Sequence, residues 1–393
     1  MVKYIGSKRL LLPAILDAVG DIPGTRRVLD LFSGTSRVGH ALKGAGYRVI
    51  ANDHNAYARA LAMCYVQADA EEVAAPAAAV IAELNRISAA ATDQGDPFTD
   101  MYSRRARFFR PENGAKIFAV REAINAMALE PELEAVALTS LLEAADRVDS
   151  TTGVQMAYLK SWAPRSMRTL ELRMPRILPR ARAGKGTAVC ADAVAAAREW
   201  GGSADVAYLD PPYNQHSYLG NYHIWETLVR WDRPEVFGLA CKRVDVRDRT
   251  SRFNSRRRCL EALREVLSAL ATPNLIVSFN DEGYIRREEL QALLEARGPV
   301  RVVELAYRRY VGARIGIYNP RGEKVGRIGR LENTELLFIT GPSAAARRAS
   351  PGDAPSRVPP DQPPLRPHIE TATAAMINPN AAKSLGLGLS PAT

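Results

Sequence analysis

Short apolar segments alternate with amphipathic ones along much of the chain. Residues 38–45 have the hydrophobic spacing of a helix, and residues 260–270 show the same spacing further on. The apolar segments themselves predict strands at residues 27–32, 47–52, 187–191, 206–209 and 274–279. Strands that alternate with helices are typical of an α/β fold with a parallel sheet.

The last part of the chain has a different pattern. Residues 300–306 and 335–340 predict two more strands, but the Gly- and Arg-containing segment between them offers no crossover helix. Parallel neighbours need such a crossover, so we expect a closing antiparallel hairpin. Beyond Gly341 the chain is rich in Pro, Ala, Ser and Arg and lacks apolar periodicity, so we expect residues 342–393 to be disordered.

A long interruption separates the two blocks of strands and helices. Turn residues 94–97 (QGDP) precede helical patterns that continue to about residue 147, and a polar, basic stretch follows. We therefore predict a Rossmann-like α/β domain formed by residues 1–94 and 186–341, with residues 95–185 as a mostly helical inserted domain.

Composition narrows the class of protein. A chain of 393 residues that is 47% hydrophobic can bury a sizeable core, and a net charge of +10 favours a polyanionic partner such as nucleic acid. The four cysteines form no C-x-x-C pair, which argues against a disulfide framework or a zinc cluster. The N-terminus lacks the apolar core of a signal peptide and no apolar run is long enough to span a bilayer, so we expect a cytoplasmic protein.

A first candidate site lies where the first strand turns into a helix. The segment VLDLFSGTSRVG places Asp30, Phe32 and Gly34 at a position where backbone amides and a helix N-terminus receive ligands. About twenty residues later, Asp53 ends the next strand, at the spacing of an acid that binds ribose hydroxyls. Alternatively, Gly34 serves an ordinary turn and Asp53 caps a helix; the absence of G-x-G-x-x-G disfavours a dinucleotide.

A second candidate site is the tetrad Asp210, Pro211, Pro212 and Tyr213, which directly follows a predicted strand. Prolines have no backbone donor, so the carbonyls of Asp210 and Pro211 can accept N–H groups from a ligand, beside the Asp210 carboxylate. These acceptors suit an exocyclic amine of a nucleobase, and Tyr213 can stack on the base for roughly 1–3 kcal/mol. The alternative is a proline-stiffened loop with a capping aspartate.

With these motifs, the chain resembles the S-adenosylmethionine-dependent adenine-N6 DNA methyltransferases over about residues 1–340, in particular the alpha-ordered group that contains Dam and many restriction-modification methylases. The order of cofactor loop, long insert and Asp-Pro-Pro-Tyr matches that group. The segment KYIGSK is similar to the family's aromatic-x-Gly-x-Lys motif. Ser36 stands where the second glycine of the family's Phe-x-Gly-x-Gly loop usually lies.

The resemblance implies a methyltransferase sheet and S-adenosylmethionine as cofactor. It assigns Asp30 to the methionine amino group, Asp53 to the ribose and Asp192 to the adenine of the cofactor, although a helix N-cap explains Asp192 equally well. The full set of implied cofactor residues is Tyr4, Gly6, Lys8, Asp30, Phe32, Ser33, Gly34, Thr35, Asp53 and Asp192.

The implied activity is methyl transfer to adenine N6 of a flipped base in duplex DNA, with residues 95–185 as the target-recognition domain. Methylation of cytosine N4 or of an RNA base is an alternative, and so is a catalytically dead DNA-binding scaffold. Aspartate at the first position of the tetrad and the basic insert favour adenine in DNA. The resemblance leaves room for a cognate restriction endonuclease acting separately, and we expect a monomer.

Basic residues mark candidate DNA contacts. Residues 242–258 contain eight Lys or Arg against two Asp, which suits a phosphate clamp, although charged stretches are more often solvated surface. The candidates are Lys160, Arg165, Arg168, Arg249, Arg252 and Arg256. His216 and His223 have no partners at metal-ligand spacing, so we expect no metal site.

Overall fold

The computed structural model describes residues 1–6, 8–156, 159, 161–281, 283–308 and 332–342. Lys160 therefore lies outside the described residues. The same holds for the predicted disordered tail, apart from Pro342.

The described part of the chain alternates strands and helices. The strands are β1 (Arg27–Asp30), β2 (Arg48–Asn52), β3 (Thr187–Val189), β4 (Val206–Leu209), β5 (Val236–Phe237), β6 (Lys242–Arg243), β7 (Asn274–Asn280), β8 (Val300–Arg308) and β9 (Glu332–Thr340). The α-helices are α1 (Leu12–Gly20), α2 (Arg37–Gly44), α3 (Ala56–Ala62), α4 (Ala70–Ala90), α5 (Pro97–Thr99), α6 (Pro111–Ala126), α7 (Pro131–Val148), α8 (Ala193–Trp200), α9 (Tyr218–Asn221), α10 (His223–Arg230), α11 (Cys259–Ala269) and α12 (Arg287–Glu295). Short 3₁₀ turns and two π-helical turns, Met63–Gln67 and Asp100–Arg105, connect them.

Seven strands form one sheet in the order β3-β2-β1-β4-β7-β9-β8. Strands β3, β2, β1, β4 and β7 are parallel to one another, whereas β9 runs antiparallel to both β7 and β8. Strands β4 and β7 are buried along their whole length, which explains why they read as continuous apolar runs rather than alternating ones. The predicted Rossmann-like methyltransferase sheet with a closing antiparallel hairpin is confirmed.

Helices cover both faces of the sheet. One face packs on α1 and α2, with buried residues that include Ile15, Val19, Leu42, Val28, Val206 and Ile276. The other face packs on α8, α11 and α12, with buried residues that include Ala196, Leu263, Leu290, Leu29, Ala207 and Val277. Neighbouring residues on each strand thus point to opposite layers, and the ends of the strands are left to form a site.

The predicted insert does contain long helices, but it shares its core with the flanking helices. One hydrophobic cluster joins α3, α4, α6, α7 and α10 through buried residues that include Tyr57, Leu84, Ile117, Leu141 and Trp225. Residues in the 3₁₀ turn Pro164–Met167 and the irregular segments beside it pack along this helical layer. The boundaries at 94/95 and 185/186, and the target-recognition role, stay predictions.

Helix α4 is long and apolar enough to cross a membrane by length and composition alone. In the structure, however, one side of the helix is buried against the other helices of this layer, through Val73, Ala77, Ile81 and Leu84. Its remaining faces are mostly alanine, with Glu71 and Glu72 in the first turn. We therefore interpret α4 as a core helix of the helical layer.

Candidate active site

A cavity lies at the edge of the sheet where β1, β2 and β4 end. It brings together the two motifs, because β1 and β4 are neighbours in the sheet although about 180 residues separate them in sequence. The lining residues are Tyr4, Gly6, Lys8, Asp30, Phe32, Ser33, Gly34, Thr35, Arg37, Val38, Asp53, His54, Asn55, Tyr208, Asp210, Pro212, Tyr218 and Ser251. Of the predicted cofactor and catalytic residues, Pro211, Tyr213 and Asp192 are not among them.

The loop between β1 and α2 is held in shape by Asp53. One carboxylate oxygen of Asp53 accepts a hydrogen bond from the backbone amide of Gly34 at 3.1 Å, and the other accepts from the backbone and side chain of Asn55 at 3.0 and 3.1 Å. Gly34 has a φ of +51°, and a Cβ there would lie 3.4 Å from the Tyr4 ring. The glycine therefore allows both the turn and the close approach of the ring.

Asp30, the last residue of β1, is 1% exposed and lines the cavity. Neither of its carboxylate oxygens makes a hydrogen bond of good geometry within the described residues. Burial raises the pKa of Asp30 to about 8; the nearby charge of Asp210 adds to this, while the backbone amide of Gly39 opposes it. A buried acid without a partner is unfavourable unless a ligand supplies a positive charge, so this position suits a ligand ammonium group.

Asp210 has a partner that Asp30 lacks. The Lys8 ammonium lies 3.0 Å from the Asp210 carboxylate and also forms an ion pair with Glu335 on β9. Burial raises the pKa of Asp210 to about 6, with Lys8 lowering it and Glu335 raising it. For Lys8, burial alone would lower the pKa, but the two carboxylates hold it well above its usual value. Lys8 is therefore a permanent cation between two acids.

The loop that follows β4 is fixed from two sides. The side chain of Asn254 donates hydrogen bonds to the backbone carbonyls of Asn214 and His216, at 2.7 and 2.9 Å. The half-buried ring of Tyr213 packs edge-on against Phe279, with centroids 5.8 Å apart. Pro211 is buried and does not line the cavity, whereas Pro212 does. The tetrad therefore belongs to a rigid loop that presents Asp210 and Pro212 to the cavity.

Tyrosine rings close the N-terminal side of the cavity. The Tyr4 ring is stacked against Tyr218 and Tyr222, at centroid distances of 5.0 and 4.5 Å. The Tyr4 hydroxyl lies 3.0 Å from that of Tyr57, and the Tyr222 hydroxyl accepts a hydrogen bond from the backbone amide of Ile5. Burial raises the pKa of Tyr4 well above its usual value, so the ring stays neutral. These contacts fix the segment that carries Gly6 and Lys8.

The structure places Asp192 away from the cavity lining, at the N-cap of α8. Its exposed side chain accepts a hydrogen bond from the backbone amide of Val194 at 2.9 Å. This is the geometry of the alternative N-cap interpretation. The role of Asp192 toward a cofactor stays a prediction.

The predicted DNA contacts differ in how far acids of the chain already engage them. Arg165 forms an ion pair with Asp149, Arg249 with buried Glu226, and Arg252 with Glu265. Arg168 and Arg256 are exposed, and no ion pair engages their side chains within the described ranges. Arg256 lies two residues from Asn254, which bonds the Asp-Pro-Pro-Tyr loop, so the basic stretch adjoins the candidate catalytic residues in space.

The two histidines have ordinary structural environments. His223 is completely buried and donates a hydrogen bond from its Nε2 to the carbonyl of Gln155 at 2.9 Å; burial lowers its pKa to about 3. The His216 amide donates to the side chain of Asn214. Across the described ranges, no group of three or more His, Cys, Asp or Glu side chains could hold a metal ion.

Several cavity residues were not predicted from the sequence. Tyr218 and Ser251 line the cavity but belong to no motif that composition or spacing reveals, and His54 and Arg37 lie beside or within the first motif without having been assigned a role. Glu335, behind Lys8, did leave a signal, because it is the acid that opens the otherwise apolar run ELLFI of the strand predicted at residues 335–340. A charge at a buried register of such a strand points to a partner or a site.

The sheet order, the closing hairpin and a cavity shared by the two motifs define a Rossmann-like methyltransferase domain. Residues 4–284 match the family described as D12 class N6 adenine-specific DNA methyltransferase, and the chain belongs to this family.

Curated relatives of the chain are modification enzymes. The chain is 30% identical over 331 residues to modification methylase StsI of Streptococcus sanguinis. The alignment covers 79% of this chain and 49% of the relative. It is 28% identical over 330 residues to type II methyltransferase M.FokI of Planomicrobium okeanokoites, with coverage of 79% and 50%. It is 26% identical over 317 residues to type II methyltransferase M.NlaIII of Neisseria lactamica, and that alignment covers 79% of this chain and 92% of the relative. The chain thus spans about half the length of the first two relatives.

Proposed function

We propose that the chain transfers a methyl group from S-adenosylmethionine to N6 of an adenine in duplex DNA. One observation carries the proposal: Asp210 and Pro212 line the same cavity as Asp30, Phe32 and Asp53. An acceptor for an amine therefore lies beside a pocket with the features of a nucleotide site. Membership of an adenine-specific DNA methyltransferase family supports the choice of base and of polymer.

The cavity residues fit the proposed cofactor. Asp30 offers a buried carboxylate without a partner, which suits the amino group of a methionine moiety. Asp53 lines the cavity where β2 ends, as expected for a carboxylate that accepts hydrogen bonds from a ribose. The cofactor supplies an electrophilic methyl group on a sulfonium.

Asp210 would act directly on the target amine. Its carboxylate, held beside Lys8, accepts an N–H of the amine and so makes the nitrogen lone pair available for bonding to the methyl carbon. As that bond forms, the carbon–sulfur electron pair stays with sulfur, and the surplus proton of the nitrogen leaves to Asp210 or solvent. Pro211 contributes a carbonyl acceptor without a competing backbone donor, and Tyr213 stacks on the flipped base.

DNA would approach along the basic stretch that adjoins this loop. Arg256 and Arg168 are the strongest of the predicted phosphate contacts, since Arg165, Arg249 and Arg252 already have acidic partners in the chain. We further propose that residues 95–185 contribute to target recognition and that the chain acts in the cytoplasm as a monomer, with any cognate endonuclease acting separately.

The proposal is tested by incubating the purified chain with methyl-labelled S-adenosylmethionine and genomic DNA that lacks adenine methylation. Mass spectrometry of the digested nucleosides is expected to show label in N6-methyladenine. Label in N4-methylcytosine would replace adenine by cytosine, label in RNA alone would replace the polymer, and cofactor binding without label in any base would favour a catalytically dead scaffold. Sequencing the methylated DNA gives the recognition sequence.

A further inference from the structure

Glu335 is an acid on β9, which lies between β7 and the edge strand β8. In the register of the strands it pairs with Asn280 on β7 and with Leu305 on β8. Its side chain is 1% exposed and shares a face of β9 with the buried Leu337 and Ile339. Because β9 runs antiparallel to β7, its first half lies at the edge of the sheet where β4 ends, next to the candidate active site.

Among the described residues, three polar side chains engage the Glu335 carboxylate. It accepts a hydrogen bond from the Lys8 ammonium. It also accepts one from the Ser278 hydroxyl, at 2.7 Å, and a long one from the side-chain amide of Asn280, at 3.5 Å. Burying an ionised acid is costly, and an apolar side chain would serve the core of a sheet better. The carboxylate at this position therefore needs an explanation beyond packing.

Lys8 supplies the explanation, because it bridges two carboxylates. Its ammonium contacts Asp210 on the cavity side and Glu335 on the core side. With Asp210 as its sole partner, Lys8 would neutralise the carboxylate that the target amine needs and would occupy the same oxygen atoms. With Glu335 present, one cation is shared by two anions, and the group keeps a net negative charge where an amine becomes positive during transfer.

We propose that Glu335 is a positioning residue for methyl transfer: it holds the Lys8 ammonium away from the reacting face of Asp210 and keeps Asp210 a strong acceptor. The inference rests on the proposed function. Glu335 contacts neither substrate nor cofactor in this scheme; it acts on Asp210 through its own charge and through the position of Lys8.

The sign of the effect follows from the groups that face Asp210. These are Lys8 and Glu335 together with Asp30 at the end of β1, Tyr208 on β4 and Tyr218 at the start of α9. Glu335 raises the pKa of Asp210, so Glu335→Gln lowers it. Lys8, left with a single carboxylate, moves toward Asp210 and lowers it further. Asp210 then becomes a weaker acceptor that stays ionised to lower pH.

The test compares Glu335→Gln with Glu335→Asp, which keeps the charge, and with Glu304→Gln. Glu304 is a matched control on neighbouring β8, because it is 47% exposed and pairs with Arg287 at the surface. In the cofactor-free protein, carbon-13 NMR follows the titration of the Asp210 carboxyl, assigned with Asp210→Asn. We expect Glu335→Gln to move that titration to lower pH. Glu335→Asp should titrate close to wild type, and Glu304→Gln should titrate as wild type does.

The second readout is single-turnover methyl transfer at saturating cofactor. Glu335→Gln is expected to slow transfer by about tenfold or more and to move the acidic limb of its pH profile to lower pH, with cofactor affinity by calorimetry changed less than about threefold. If Glu335→Gln fails to fold, Glu335→Asp takes its place, because the shorter side chain draws the carboxylate back from Lys8, with a smaller shift of the same sign.

The outcomes separate the two proposals. An Asp210 titration in Glu335→Gln that matches wild type overturns the inference, and so does slower transfer with an unmoved pH profile, because a merely structural role predicts that result. A wild-type chain that methylates no base overturns the proposed function, while the NMR titration still decides whether Glu335 controls Asp210.

Discussion

Asp30 and Asp210 are two carboxylates at the ends of neighbouring parallel strands, and they differ in what surrounds them. Asp30 is buried without an ion-pair partner in the described residues, and its pKa is raised to about 8. Asp210 lies 3.0 Å from Lys8, and its pKa rises only to about 6. The same position in the fold thus produces two chemical states. One acid is suited to receive a cation from a ligand, whereas the other already has one and acts as an acceptor.

The loops that follow the two acids differ in the same way. The loop after β1 depends on backbone freedom, with positive φ at Gly34 and Ser36, and presents its Gly34 amide to Asp53. The loop after β4 depends on rigidity, with two prolines and the cross-link from Asn254. An amide-rich turn suits a bound cofactor, and a stiff acceptor-lined loop suits the orientation of an amine. Substitutions in the loop after β4 and in the loop after β1 therefore should have separable effects, the first on methyl transfer and the second on cofactor affinity.

The largest effect is expected on the rate of methyl transfer, from a change at Asp210. Asp210→Ala removes the carboxylate that accepts the amine proton, so transfer should fall by about 10³-fold or more under single-turnover conditions. Cofactor affinity, measured by calorimetry, should stay within about threefold of wild type, because Asp30 and Asp53 are unchanged. Asp17→Asn, an exposed acid on α1, is the control. Near-normal transfer by Asp210→Ala would remove Asp210 from the mechanism.

The next effect lies on the cofactor side. Asp30→Asn removes the buried charge proposed to bind the ligand ammonium, and a hydrogen bond to a charged group contributes about 1.5–3 kcal/mol. Calorimetry should therefore show cofactor affinity weakened by about 10- to 100-fold. Transfer at saturating cofactor should change far less, since Asp210 and Lys8 remain in place. An unaltered dissociation constant would show that Asp30 does not bind the cofactor.

The same variant tests the pKa of Asp30 without any ligand. The folded-state pKa of about 8 lies above the ordinary value for aspartate of about 3.9, so the folded state binds the proton more tightly between those values. Asp30 therefore makes the cofactor-free protein less stable as pH rises from about 4 to about 8. The difference in unfolding free energy between Asp30→Asn and wild type, from denaturant titrations, should grow over that range. A constant difference would contradict a raised pKa.

Much of this arrangement was predictable because it is local or topological. Apolar runs between turns predict β4 and β7, and Asp30, Asp53 and Asp210 each end or follow such a run. Parallel strands bring those ends to one edge, so the shared cavity follows from the fold.

What could not be predicted depends on pairing between distant residues. Glu335 lies 327 positions from Lys8, and the two meet only because β9 inserts between β7 and β8. Likewise, the sequence shows a basic run at residues 242–258, but only the fold shows that Arg249 is paired with Glu226 and that Arg256 is exposed. The shared core of α3, α4 and the inserted helices is non-local in the same sense.

The difference between exposed Arg256 and paired Arg252 predicts a smaller effect, on the affinity for DNA beside the loop that follows β4. Arg256→Ala should weaken binding to duplex DNA several-fold and reduce the slope of log affinity against log salt by about 1, if Arg256 neutralises one phosphate. Arg252→Ala is the matched control, because its guanidinium is already bound by Glu265 at 2.6 Å. Fluorescence anisotropy across a salt series measures both variants. Equal losses would mean that the acid partner does not withhold Arg252 from DNA.

The smallest effect concerns the backbone of the cofactor loop. Ser36 has φ 57° and ψ 25°, a left-handed conformation that costs a non-glycine residue roughly 1–2 kcal/mol. Its side chain is fully buried, and its hydroxyl has no hydrogen-bond partner within the described residues. Ser36→Gly removes both penalties and loses part of the gain to the greater entropy of glycine in the unfolded chain. A net stabilisation of about 1 kcal/mol should raise Tm by about 2 °C.

The matched control is Ser33→Gly, three residues earlier in the same loop. Ser33 is also buried with an unpartnered hydroxyl, but its φ is not positive, so Ser33→Gly relieves only the hydroxyl and still brings the entropic penalty. Its Tm should therefore lie below that of Ser36→Gly. Ser36 does not line the cavity, so Ser36→Gly should leave cofactor affinity within about twofold of wild type. A lower Tm for Ser36→Gly would mean that the serine stabilises the loop through its side chain, and the backbone freedom ascribed to the cofactor side would then rest on Gly34 alone.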